Sequence, residues 1–356
     1  MDPLPPFELE RWFAEYEHDA DLMLAESGVR PLEAARFDYG AGELGYVIPT
    51  DGDPAFRERV AEEHGRTREE VLFTCGTQEA NYLGLQAILE DGGHAVVVTP
   101  TYEALHRIPE SMADVTEVPL SGPDWTLDVE AVRDAIRDDT RVVVLNNPNN
   151  PTGSYADWET VEELYDVATD AGAYLYCDEV YRELADDPHP PVATLGPNAV
   201  STASVSKAYG LAGLRFGWLV GPEAVVERAW ELKDYTSISV GKLDQHVAEQ
   251  AITRKADILA ENRAHVERNR ERVADFLDEH GLDWHDPVGP NGFVTVPEGY
   301  TGSRDFCRTV VEEASVVLAP GDCFGYNDYF RIGFGLPSDE LEAGLTRVAD
   351  VLAADH

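Results

Sequence analysis

The chain has 356 residues, enough at ~150 per domain for two or three domains around a sizeable core. It carries 27 Lys plus Arg against 68 Asp plus Glu, a net charge of −41, and its lysines are only Lys207, Lys233, Lys242 and Lys255. That balance excludes a broad basic surface for nucleic acid or an anionic membrane, and a 43% hydrophobic content with 6 Trp, 15 Tyr and 12 Phe excludes a disordered chain.

Carboxylates run from Asp2 to Asp355 instead of clustering. The acidity therefore reads as adaptation to concentrated salt, where the Debye length falls to ~3 Å at 1 M and self-repulsion is screened. The start, from Met1 to Phe13, has neither the positive region nor the apolar region of a secretory signal. The longest apolar runs, such as Ala95–Val98 and Val142–Leu145, are strand-length, so no membrane span is expected. Cys75, Cys177, Cys307 and Cys323 form no CxxC pair and have no histidine at metal spacing. Reduced thiols, a cytoplasmic location and no bound metal are the expectation.

In chain order, a helix is predicted near Phe7–Leu24 and an amphipathic run over Ala55–His64. A strand at Val71–Cys75 and a helix at Gln78–Leu89 follow. Apolar strands read at His94–Pro100, Arg141–Asn146, Ala173–Asp178 and Ala199–Ser204, with helical runs at Val129–Arg137 and Trp158–Ala171 between them. This alternation with near-continuous apolar strands predicts an α/β fold with a mostly parallel, two-sided sheet. Past Gly221 the texture changes. Helical patterns cover Pro222–Asp234 and Asp244–His280, then short strands read at Gly292–Pro297, Val316–Pro320 and Tyr329–Phe334. The expected division is a large domain over 45–235 and a smaller α+β domain from 1–44 and 236–356.

The most informative segment is Ser204-Val-Ser-Lys-Ala-Tyr-Gly-Leu-Ala-Gly-Leu-Arg215-Phe-Gly-Trp218. A lysine required by chemistry cannot become arginine, whose guanidinium stays protonated, so Lys207 stands out in a chain that avoids lysine. Ser204 and Ser206 offer hydroxyls and Arg215 a guanidinium, while Gly210, Gly213 and Gly217 permit close backbone approach. Between Asp187 and Glu223 there is no carboxylate, where the chain average predicts about seven. The local sign is positive, which points to an anion site.

This segment resembles the cofactor-lysine motif of the fold-type I, pyridoxal-phosphate-dependent aminotransferases of class I/II, and other motifs follow the same order. Asp178-Glu-Val-Tyr181 ends an apolar strand, where an Asp is otherwise a common helix cap. The resemblance implies that Asp178 faces the pyridine nitrogen of pyridoxal 5'-phosphate and that Tyr181 reaches its phenolic oxygen. Asn150, before Pro151-Thr-Gly153, is implied as a second donor to that oxygen. Gly76, Thr77 and Gln78 lie between a strand and a helix, a ready phosphate cradle. They are implied to bind the phosphate with Ser204, Ser206 and Arg215. Tyr102 is implied to stack on the ring. Tyr46 is implied to reach the phosphate of a neighbouring subunit, making the active unit a homodimer. Arg331, in Tyr329-Phe-Arg-Ile-Gly-Phe334, is implied to hold the substrate carboxylate bidentately.

The resemblance runs from about Tyr46 to Leu336 and implies amino transfer between an L-amino acid and a 2-oxo acid in ping-pong order. Lys207 would move the α-proton and Asp178 would support the electron sink. One departure is the stretch Phe7–Leu32, which lacks the usual glycine- and proline-rich character. With Lys233–Ser239 and Val317–Phe324 it is similar to the subgroup containing capreomycidine synthase, which carries out elimination and ring closure. A lyase or cyclase is thus the alternative. A cofactor-binding regulator would need a basic DNA-binding module, which the charge opposes.

Overall fold

The computed structural model describes residues 3–354. Met1, Asp2, Asp355 and His356, at the outer limits of the expected small domain, lie outside the described residues.

Helix α1 spans Glu8–Tyr16, and a short strand β1 follows at Leu22–Met23. Helix α2, Pro54–Glu63, is capped by Asp53, whose side chain accepts from the Ala55 and Phe56 amides with Pro54 at the first helical position. The chain then alternates through β2 Val71–Thr74, α3 Gly76–Leu89, β3 His94–Thr99, α4 Glu103–Glu110, β4 Asp114–Pro119 and α5 Val129–Ala135. It continues through β5 Thr140–Asn146, α6 Trp158–Asp170, β6 Tyr174–Asp178, β7 Ala199–Ser204 and β8 Gly217–Val220. Helices α7 Glu223–Lys233, α8 Lys242–Thr253 and α9 Lys255–His280 lead to β9 Asn291–Thr295 and α10 Ser303–Ala314. Last come β10 Val316–Val317, β11 Ala319–Pro320, β12 Tyr329–Gly333 and α11 Ser338–Leu352.

Seven strands form one sheet in the order β2-β8-β7-β6-β5-β3-β4. The pairs joining β7, β6, β5, β3 and β4 are parallel, and β8 runs antiparallel to both β2 and β7. Alternate residues of each central strand enter different cores: Val143, Leu145, Leu175 and Cys177 on one face, Val142, Val144 and Tyr176 on the other. Burial on both faces explains why these strands read as unbroken apolar runs. A second sheet, β11-β12-β9, is antiparallel, and α10 packs on α11 and α11 on α9 beside it.

Three expectations need correction. The N-terminal helix stops at Tyr16, because the amides of Asp21 and Leu22 bond the Ser315 carbonyl and draw the chain into parallel pairing with Val316–Val317. The strand expected at Val316–Pro320 divides at Leu318, whose carbonyl accepts from Trp12 Nε1 at 2.8 Å, so its halves join different sheets. The long helix after Asp244 breaks at Arg254 (φ −104°, ψ 19°), whose guanidinium donates to the Arg36 carbonyl at 2.9 Å. No glycine or proline marks that break.

The sheet sets out the site. Asn146 at the end of β5 is in register with Asp178 at the end of β6, and Asp178 with Thr202 on β7. Ser204 and Thr74, at the ends of β7 and β2, both pair with Gly217. Five strands therefore bring their chemistry-bearing residues to one edge, where ligands of open α/β sheets bind.

Candidate active site

A cavity of about 280 Å³ opens at that edge. Of the residues singled out from sequence, Thr77, Gln78, Tyr102, Asn150, Asp178, Tyr181, Ser204, Ser206, Lys207, Arg215 and Arg331 all line it. Gly76, which begins α3 directly before Thr77, is not among its lining residues. Tyr46 does not line it: its side chain is 76% exposed, on the same stretch as the equally exposed Leu44 and Ile48.

Lys207 follows β7 and is half-buried, and its Nζ donates to Ser27 Oγ at 3.2 Å. Asp178 is buried; its Oδ2 accepts from Asn81 Nδ2 at 2.7 Å and its Oδ1 from the Val180 amide at 3.1 Å. Burial lifts this carboxyl from 3.8 to about 6, held back by the Asn81 and Val180 hydrogen bonds and by the charge of Lys207. Asn146 connects β5 to the loop beyond it: its Nδ2 donates to the Asp178 carbonyl at 3.0 Å and its Oδ1 accepts from the Asn150 amide at 2.7 Å.

Arg331 comes from β12, in the small sheet, and is 1% exposed. Its Nη1 donates to Asn150 Oδ1 at 2.8 Å and its Nη2 to the Ala25 carbonyl at 2.7 Å, while its Nε is buried without a partner. The guanidinium carbon lies 5.3 Å from the centre of the Phe324 ring. Burial pulls its pKa below the usual arginine range, opposed by Tyr181 and Glu26. Tyr102, just before α4, stands 3.4 Å through its hydroxyl from Glu10 Oε1. Burial and Glu10 push that hydroxyl above the ordinary tyrosine range, so it stays neutral.

The other end of the cavity is built for an anion. Arg215 adopts a left-handed backbone (φ 50°) after β7, and a Cβ placed on Gly76 would come within 2.8 Å of its Nη2. The hydroxyls of Thr77 and Ser206 are buried with no hydrogen-bond partner. Unpaired buried hydroxyls are costly, and these two stand beside a guanidinium and the open amides of the first turn of α3. This donor set fits the phosphate of pyridoxal 5'-phosphate: Thr77, Ser204, Ser206 and Arg215 would hold it, with Asp178 and Tyr181 for the ring and Lys207 for the aldehyde.

Sequence reading passed over several lining residues. Asn81 is four positions beyond Thr77 on α3, the spacing of one helix face, and that was the available signal. Glu10, Phe13, Glu17, Glu26 and Ser27 also line the cavity. They come from the atypical N-terminal stretch, which folds over the site because Trp12 is buried and anchored on Leu318.

Comparisons with known proteins agree with this geometry. The family described as aminotransferase class I and II matches residues 33–348. Capreomycidine synthase from Streptomyces vinaceus is 32% identical over 374 residues, covering 98% of this chain and 94% of that protein. A PLP-dependent aminotransferase from Streptococcus suis superposes with a TM-score of 0.93 at 30% identity over 100% of both chains. A PLP-dependent cyclase, OrfR, superposes with a TM-score of 0.89 at 27% identity over 99% of this chain and 98% of its own.

Proposed function

The chain belongs to the aminotransferase class I and II family, and from that premise we propose that it transfers an amino group between an L-amino acid and a 2-oxo acid. The observation that carries this reading is the placing of Lys207, Asp178 and Arg331 around one cavity, from the large sheet and the small one. Pyridoxal phosphate, when bound, supplies the electron sink that lets an α-proton leave. Arg331 binds the substrate carboxylate, its fork already oriented by Asn150 and the Ala25 carbonyl. Lys207 Nζ, released from Ser27, would take the α-proton and act as its carrier. Asp178 holds a negative charge at the end of β6, and Asn150 and Tyr181 offer donors to the ring oxygen.

A second reading is elimination or ring closure on the same residues. Its support is the likeness to OrfR and the N-terminal helix that lines this cavity. Incubation with single L-amino acids separates the two. Pyridoxamine phosphate with one equivalent of oxo acid supports transfer, whereas ammonia or a departed β-substituent without pyridoxamine phosphate overturns it. Lys207→Ala must abolish borohydride trapping of the cofactor under either reading.

The same reading takes residues 45–235 as the cofactor-binding part, and 1–44 with 236–356 as the smaller one. It makes the active unit a homodimer in which Tyr46 reaches the partner's phosphate site. Tyr46, Ile48 and Tyr235 are 76%, 83% and 90% exposed, and covering them in a subunit interface would favour such a dimer. Sedimentation at the monomer mass would count against it. The four free cysteines support a reducing cytoplasm, and among the described residues no helix is long and apolar enough to cross a membrane. The acidity is read as salt adaptation, which a melting temperature insensitive to added KCl would contradict.

A further inference from the structure

Asn81 is 1% exposed in the middle of α3, and nothing in the motifs of the cofactor site calls for an amide there. Its Nδ2 donates to Asp178 Oδ2 at 2.7 Å. At its other end, Oδ1 accepts from Thr202 Oγ1 at 2.8 Å. The Tyr176 hydroxyl lies 3.4 Å from the same oxygen and 3.1 Å from the Ala80 carbonyl. Thr202 and Tyr176 are both fully buried, on β7 and β6.

Donor and acceptor chemistry fixes the direction of this chain. An ionised carboxylate only accepts, so the amide nitrogen faces Asp178 and the amide oxygen is left for the Thr202 hydroxyl. A flipped amide would set its oxygen against the carboxylate and lose the strongest bond of the set. An amide N–H stabilises the ionised carboxyl more than the protonated one, whose remaining acceptor oxygen is a weaker partner.

We propose that Asn81 is a positioning residue which, oriented by Thr202, aims the Asp178 carboxylate into the cavity and keeps it ionised for the ring nitrogen of the cofactor. The proposal rests on the reading of Asp178 given above. The titratable groups coupled to this carboxylate are Tyr176 and Cys177 on β6, Glu179 beside it, Tyr102 before α4 and Lys207 after β7. Lys207 is the one cation among them, and on that reading its amine is engaged with the cofactor or the moving proton during turnover. With Asn81 removed, the Val180 amide is the only other hydrogen-bond donor to the Asp178 carboxylate among the described residues.

The test uses the pyridoxal-phosphate-loaded enzyme with Asn81→Leu, which removes the donor at similar volume, and Thr202→Val, which only frees the amide oxygen. In Asn81→Leu the acidic limb of the kcat profile should move to higher pH, and the Kd for pyridoxal phosphate, read by fluorescence titration, should rise about 10-fold or more. Thr202→Val should move both readouts the same way by less. A folded Asn81→Leu with the wild-type limb and Kd would overturn the proposal. Should that variant not fold, Thr202→Val decides: wild-type values for both readouts overturn it, and shifts support it. Wild-type enzyme that traps no cofactor at Lys207 would instead defeat the underlying reading, so the two failures are distinguishable.

Discussion

Arg331 Nη1 donates to Asn150 Oδ1 at 2.8 Å, across 181 positions of sequence. The bond ties the middle strand of the small sheet to the loop beyond β5 of the large one, and Nη2 adds the N-terminal segment through the Ala25 carbonyl. A single guanidinium thus holds three separate parts of the chain around one cavity, with its Nε left over.

Arg331→Lys keeps the charge but cannot reach Asn150 and Ala25 together, because an ammonium lacks the planar fork. The expected result is a fall of about 10- to 100-fold in kcat/KM for any amino donor, carried mainly by KM. The Kd for pyridoxal phosphate should stay at its wild-type value, since no phosphate-cradle residue is disturbed. Stopped-flow half-reactions and a cofactor titration check the two halves separately.

Asp178 gives a pH signature. Its folded pKa of about 6 stands above the ordinary 3.8, so the folded chain holds this proton more tightly than the unfolded chain does. The stability this contributes is full below 3.8 and is lost as pH rises through about 6. Asp178→Asn apoprotein should therefore be more stable than wild type above pH 6, by on the order of a few kcal/mol, and melt at a higher temperature. The difference should narrow as pH falls toward 3.8, and activity should collapse at every pH. Melting curves of both proteins across that range measure it; a variant equal to wild type above pH 6 would contradict the assignment.

Gly217→Ala should damage the phosphate cradle from below. The added Cβ would stand 2.6 Å from the Gly76 carbonyl carbon and 2.8 Å from both the Thr77 amide nitrogen and the Ala203 carbonyl oxygen. All three are backbone atoms, so α3 must lift away from β8. A stability loss of about 1–3 kcal/mol is expected, together with weaker pyridoxal phosphate binding. Denaturant titration and cofactor titration of the same preparation test it.

Selectivity among donors should follow the charge at the cavity wall. Glu10, Glu17 and Glu26 line it, and its cations are Lys207, Arg215 and Arg331, all assigned above to cofactor or α-carboxylate. A second carboxylate on the substrate would meet repulsion from this chain's own residues. Aspartate and glutamate should therefore be poorer donors than neutral or cationic amino acids. Neutralising the wall with Glu10→Gln and Glu26→Gln should narrow that gap, as should added salt. A donor panel with pyruvate, a monocarboxylate acceptor, run at low and high ionic strength, provides the comparison; aspartate leading the panel would refute it.

Much of this was legible because the central strands are buried on both faces and keep their apolar character along their whole length. Asn146, Asp178 and Ser204 each end such a strand, so locating the strands located the site's edge. Elements with weaker local signals were passed over. β4 lies at the edge of the sheet with Val118 alone buried along it, and α4 carries Pro109 inside a helix. β8 begins within the lysine motif, and its Gly217 lies against the Gly76 backbone.

The sequence alone singled out the side chains proposed to carry the chemistry, because a lysine kept in a lysine-poor chain, an arginine inside an apolar strand and a carboxylate at a strand end are costly choices that leave local traces. The same trace appears in the charge, which is −41 overall yet positive around Lys207. Only the tertiary structure decided what surrounds those groups. Asn81 meets Asp178 across 97 positions, Ser27 meets Lys207 across 180, and the glutamates of α1 reach the cavity wall because Trp12 is anchored on Leu318. Contacts between distant segments depend on the packing of whole elements, and no periodicity within a single segment encodes them.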